Sequence, residues 1–175
     1  MGSVWIVSIS LGDCKYGYDI HDGVMCLSLI KCGTNPNPNA DQGEHIFKYS
    51  LMPHSGDWRE AQIVKEAFAL NCPLIGAKTA GEGQLSAEYS FANVNTPNVI
   101  ISSIKEACDG EDIIVRAYEA HGMRTKTALN FGFNVATASE VDMLEEEVYE
   151  ELSVANNGFT TMFKPYEIKT FRIKR

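Results

Sequence analysis

The groups best suited to chemistry in this 175-residue chain are its four histidines, its carboxylates and its five cysteines. Asp41, Glu44, His45 and His54 lie close together in sequence and invite comparison with a metal site. A zinc centre needs three or four ligands converging on one point. Glu44 and His45 are neighbours on a predicted strand and so point to opposite faces. His54 follows roughly 30 Å further along a straight strand. This spacing argues for structural histidines and for no metal site in the chain. Glycosidic acid–base chemistry needs two carboxyl groups about 5–9 Å apart, and nothing in the spacing of Asp41, Glu44, Asp57 and Glu119 sets two of them on one wall. Glu119 and His121 flank a predicted hairpin turn and read as surface or structural groups. No Gly-x-Ser-x-Gly is present, no cysteine stands in a nucleophile context, and Gly81-Glu82-Gly83 is a flexible stretch, not a dinucleotide-binding loop. Trp5, Trp58 and the tyrosines have the spacing of core aromatics more than of sugar-stacking platforms. The residues therefore imply no self-contained catalytic site.

The elements that would position these groups are mostly strands. Phe47, Tyr49 and Leu51 share one face of a predicted strand, opposite Lys48 and Ser50. Val24–Ile30 is almost continuously apolar, as expected of a strand covered on both sides, and His21-Asp22-Gly23 supplies turn chemistry before it. Val99–Ile104, Asp112–Tyr118 and Thr125–Phe131 are strand-like runs separated by Asp109-Gly110 and His121-Gly122, which predicts a meander of hairpins. A last strand follows Pro165, from Tyr166 to Ile173. One helix is predicted over 57–70: Trp58, Ala61, Val64 and Phe68 recur at helical spacing and should face a sheet, with Asp57 as N-cap and Glu60 completing a capping box. The acidic run Asp142–Glu151 fits either a solvated helix or a strand end followed by a charged loop. Glycine and small residues gather from Gly76 to Ser86, the expected linker between regions 1–80 and 84–175.

Composition narrows the classes further. A net charge of −8 disfavours nucleic acid and anionic membrane as partners, and no apolar run reaches the ~18 residues of a membrane span. The N-terminus lacks a signal-peptide pattern and reads as a first strand, Val4–Leu11, with Met1-Gly2 as a cloning remnant. The chain is therefore expected to begin inside a larger protein. Five cysteines without a Cys-x-x-Cys pair read as buried, reduced thiols of a cytoplasmic protein.

A long pattern adds to this reading. Tyr16-Gly17-Tyr18-Asp19-Ile20-His21 and Leu27-Ser28-Leu29 precede the string from Asn35 to Trp58, which contains Asn35-Pro36-Asn37-Pro38-Asn39 and Pro53-His54-Ser55-Gly56-Asp57-Trp58. Further on stand Tyr118-Glu119-Ala120-His121-Gly122 and Pro165-Tyr166-Glu167-Ile168. From about Asp13 to Arg175 the chain resembles the C-terminal region of the glycoside hydrolase family 38 α-mannosidases, in their bacterial and cytosolic-type branch. The resemblance implies a mainly β fold: the C-terminal part of a β-supersandwich with one helix in 1–80, then a small antiparallel β-sandwich in 84–175. It implies a retaining glycosidase acting on mannosides, whose N-terminal catalytic domain, with its divalent metal (usually zinc) and nucleophilic aspartate, is absent from this chain. Lys31 matches a position that places a basic side chain at the substrate-pocket edge, where arginine is more typical, and the loop holding Asp41, Glu44 and His45 would form part of the pocket wall. Catalytic and metal-binding residues are expected to be none here. The alternative is an independent carbohydrate-binding or adhesion module. If residues 1–80 only close a larger sheet, the isolated chain should form a homodimer through that half.

Overall fold

The structure, a computed structural model, describes residues 6–10 (backbone), 17–78, 81 and 83–175. Its described elements are twelve strands and one helix, in antiparallel sheets, arranged as two compact units, Met1–Gly76 and Ala77–Arg175.

In the first unit β1 (Ile6–Ser10) pairs with β4 (Ser50–His54), and β2 (Gly17–His21) forms a hairpin with β3 (Val24–Ser28). The hairpin turn is the one read from the sequence. Asp22 and Gly23 have φ of 49° and 75°, the two left-handed positions that a type I′ turn requires. Four expectations for this unit need correction. Val24–Ile30 is not covered on both sides: β3 alternates between exposed and half-buried, because among the described residues of the unit it has only β2 as neighbour. Phe47 and Tyr49 precede the strand that begins at Ser50. The helix α1 spans Ile63–Asn71 and starts later than predicted because Gln62 is left-handed (φ 51°), which a continuous α-helix does not tolerate. The predicted capping box does form, at the turn before it. Asp57 Oδ1 accepts from the Arg59 and Glu60 amides at 2.8 and 2.9 Å, and Glu60 Oε2 accepts from the Asp57 amide at 3.1 Å. Finally, α1 buries none of its residues, and Phe68 is exposed. Residues 79, 80 and 82, inside the expected linker, lie outside the described residues.

The second unit is a two-sheet sandwich. Five strands run in the order β10 (Val148–Leu152), β9 (Thr137–Val141), β12 (Ile168–Lys174), β7 (Ile113–Glu119), β6 (Val99–Glu106). Three run in the order β11 (Gly158–Phe163), β8 (Thr125–Phe131), β5 (Ala92–Val94). Alternation along β7 and β12 turns Ile113, Val115, Ala117, Phe171 and Ile173 inward against Leu129, Phe131, Phe159 and Phe163. The rings of Phe159 and Phe171, from opposite sheets, lie 5.0 Å apart.

Two turn expectations are corrected here. β6 and β7 do pair as the expected antiparallel hairpin, but Asp109-Gly110 lies in a longer loop closed by the Ala107 amide on the Asp112 carbonyl, and neither residue adopts the positive φ of a type I′ turn. His121-Gly122 closes no hairpin: β7 and β8 belong to different sheets, so the chain crosses the sandwich there. The acidic run Asp142–Glu151 is neither a helix nor a strand end followed by a loop: it begins as the loop after β9 and runs into β10. Asp142 accepts the Leu144, Glu146 and Glu147 amides, and Glu145 is buried against Lys105 (2.6 Å). The cysteines are corrected as well. Cys26, Cys32, Cys72 and Cys108 are free but exposed, and Cys14 lies outside the described residues.

Candidate functional site

The residues expected at a pocket edge fall between β3 and β4. Asn37 starts a turn there: its side chain accepts the Asn39 amide at 3.0 Å and its carbonyl accepts the Ala40 amide. Asp41 (φ 59°) and Gly43 (φ 127°) then reverse the chain. His45 Nε2 lies 2.9 Å from the Asp41 carbonyl, and the Cys32 thiol lies 4.0 Å from the same oxygen. The structure thus joins Asp41 to His45 through backbone, leaving the Asp41 carboxylate, Glu44 and Lys31 exposed. It does not bring Lys31 or Glu44 to the other two by any hydrogen bond or ion pair among the described residues. Glu44 and His45 sit on loop, not on the predicted strand. His54 is buried at the end of β4, with Nδ1 3.3 Å from its neighbour's carbonyl. Among the described residues no three His, Cys, Asp or Glu side chains form a group able to hold a metal. The donor set among the described residues therefore does not fit a zinc centre.

The most concentrated polar arrangement centres on Glu119, which the sequence offered as a surface or structural group beside a turn and which is structural and buried. Glu119, 1% exposed, ends β7 with its carboxylate inside the second unit. Oε1 accepts from Asn98 Nδ2 (2.9 Å) and the His121 amide (2.8 Å). Oε2 accepts from the amides of Gly122 (2.7 Å), Met123 (3.0 Å) and Tyr166 (3.0 Å). Burial pushes this carboxyl up, but the hydrogen bonds from Tyr166, His121, Asn98 and Met123 outweigh it and hold the group below its ordinary value. Gly122 is required beside it. Its φ is +74°, and a Cβ there would lie 2.6 Å from the Tyr166 hydroxyl. A carboxylate so fully occupied has no lone pair left for proton transfer, so Glu119 is a structural clamp. It fastens the β7–β8 crossing to the β11–β12 connection. The signal for it was Tyr118–Gly122 itself, a glutamate just before a glycine turn whose amides need an acceptor.

Residues 98–171 match the model of the glycosyl hydrolases family 38 C-terminal beta sandwich domain. This segment runs from Asn98, a Glu119 ligand, to Phe171 in the core. Residues 98–171 carry the C-terminal beta sandwich domain of glycosyl hydrolases family 38. The chain's likeness to family 38 proteins extends beyond that segment. It is 33% identical over 164 residues to alpha-mannosidase 2C1 of Mus musculus, covering 91% of this chain and 16% of that protein. With alpha-mannosidase G of Dictyostelium discoideum it shares 32% identity over 168 residues, 93% of this chain and 15% of that protein. With the alpha-mannosidase of Saccharomyces cerevisiae the identity is 30% over 184 residues, 93% and 17% of the two chains. The chain thus spans about one sixth of the length of these relatives. No helix among the described residues is long and apolar enough to cross a membrane.

Proposed function

We propose that this chain is the C-terminal accessory part of a retaining α-mannosidase that hydrolyses terminal α-mannosidic linkages in the cytoplasm. The observation that carries this reading is the similarity to alpha-mannosidase 2C1 over 91% of the chain but only 16% of that protein. In the parent, a carboxylate of the N-terminal catalytic domain would attack the anomeric carbon while a carboxylic acid there protonates the departing glycosidic oxygen, and water, giving its proton back to that second group, would release the sugar from the covalent intermediate. That domain would also hold the divalent metal. This chain would supply packing and a pocket edge. The Met1–Gly76 unit would be the end of the supersandwich and the second unit the small sandwich. Lys31, Asp41, Glu44 and His45 would line the pocket edge on the loop that the His45–Asp41 contact closes.

Within the first unit Met25, Leu27, Leu29, Tyr49 and Leu51 line an open apolar groove of about 400 Å³. In the parent, the preceding strands would cover it. In the isolated chain a second copy would do so, giving a homodimer. The alternative, an independent carbohydrate-binding or adhesion module, draws support from the closed core of the second unit. A sedimentation run that shows a monomer binding no hydrophobic dye would favour that alternative.

The test of function uses an aryl α-mannoside, with and without zinc or cobalt. The full gene product should turn it over, and the 175-residue chain should not. Turnover by this chain, abolished by a substitution within it, overturns the proposal.

A further inference from the structure

The second unit contains a cleft that neither the clamp nor the core uses. β10 is the edge of one sheet and β11 the edge of the other. Beside these unpaired edges lies a cavity of about 300 Å³, at the small end of ligand pockets. Lys126, Glu150, Thr160, Thr161 and Lys169 line it. Lys169 is pre-positioned: its side chain is only 12% exposed, with Nζ 2.6 Å from Glu140 and 5.9 Å from the centre of the Phe163 ring. Its ammonium has three donors, of which Glu140 takes one. The side chains of Lys126, Glu150, Thr160 and Thr161 make no hydrogen bond or ion pair among the described residues, although a cation and an anion share the cavity.

This lining selects a class of ligand. Two lysines are balanced by Glu150 and Glu140, so the cavity carries no net charge and offers no advantage to an anion. It presents donors (both ammonium groups), an acceptor (the Glu150 carboxylate) and two hydroxyls that serve as either. Leu152 and Met162 add apolar surface at the same cavity. Dense, mixed donors and acceptors with an apolar patch suit a small neutral polyol whose ring has both hydroxyls and a C–H face. We infer that the cleft between the β10 and β11 edges binds a single hexose unit of a neutral glycan, with Lys126 and Glu150 bonding to its hydroxyls. The choice of mannose as the hexose rests on the α-mannosidase reading; the cleft itself does not.

The experiment is saturation-transfer NMR on the 175-residue chain with methyl α-mannopyranoside. Saturation transfer is expected with an affinity on the order of millimolar, unchanged from low to high salt because the ligand is neutral. Lys126→Ala and Glu150→Gln should each weaken it about tenfold. Both side chains are exposed, so retained amide dispersion in each variant shows that the fold is intact. Absence of transfer from both the mannoside and methyl α-glucoside, strong salt dependence, or full binding by the double variant overturns the inference. Methyl α-glucoside bound in place of the mannoside keeps the hexose cleft and contradicts only the mannose choice. A failed cleft leaves the hydrolytic assay of the full gene product untouched, and an inactive gene product leaves the binding result standing.

Discussion

In the Ala77–Arg175 unit Phe163, Phe171 and Ile173 are fully buried between two sheets, whereas in the Met1–Gly76 unit Ile20, Ile46 and Leu51 are 71%, 83% and 57% exposed. Of residues 17–76 only His54 is buried. Both units are built from short antiparallel strands with similar apolar content, so strand propensity does not separate them. What separates them is the number of neighbours each strand has. Pairs of strands cannot bury an apolar face, and isolated two-stranded hairpins are marginal in water. Three- and five-stranded sheets packed face to face can.

The largest effect should come from the same substitution made once in each unit. Phe171→Ala should destabilise the second unit by about 3–5 kcal/mol, while Phe68→Ala, on the exposed face of α1, should stay within about 0.5 kcal/mol. Urea unfolding of the isolated chain measures both. Equal losses would mean that the first unit has a core of its own.

A somewhat smaller loss is expected at the clamp. Glu119→Ala strands one side-chain and four backbone donors, at a cost of about 3 kcal/mol. The pH dependence follows from the lowered carboxyl. Because the folded value lies below the unfolded one, near 4.3, its contribution is complete above that pH. It disappears as pH falls through the folded value. Thermal melts in buffers below about pH 4.3 should therefore show a stability loss in the native chain that Glu119→Gln flattens.

The turn beside it should show the smallest effect. Gly122→Ala places a Cβ against the Tyr166 ring at positive φ and should cost about 1–2 kcal/mol. Tyr166→Ala in the same background removes the steric part and leaves the conformational part. A double-mutant cycle reads the difference.

The comparison also explains what the sequence made legible. The strands Ile113–Glu119 and Thr125–Phe131 could be read because alternation reports a face buried by the chain itself. The Asp22-Gly23 turn could be read because its chemistry is local. Val24–Ile30 misled because an apolar run reports that cover is needed, not that the same chain provides it. Asp57 and Glu60 correctly gave a capping box, but the left-handed Gln62 that delays the helix carries no residue-type signal. His121-Gly122 looked like a hairpin because nothing local distinguishes a return within one sheet from a crossing to the other. The cavity at the β10 and β11 edges was out of reach, since Lys126 and Glu150 meet only through topology. Lys31, Asp41, Glu44 and His45 were picked out by resemblance, and of these the structure links only Asp41 and His45.

Amide hydrogen exchange on the isolated chain tests the contrast between the units most directly. Amides of β7, β8 and β12 should exchange only through global unfolding, and those of β2, β3 and β4 should exchange through local opening with little protection. In the full gene product the β2–β4 amides should become protected while β7, β8 and β12 change little. Protection of β2, β3 and β4 in the isolated, monomeric chain equal to that of β7 would contradict the account, because the first unit would then need no cover from outside.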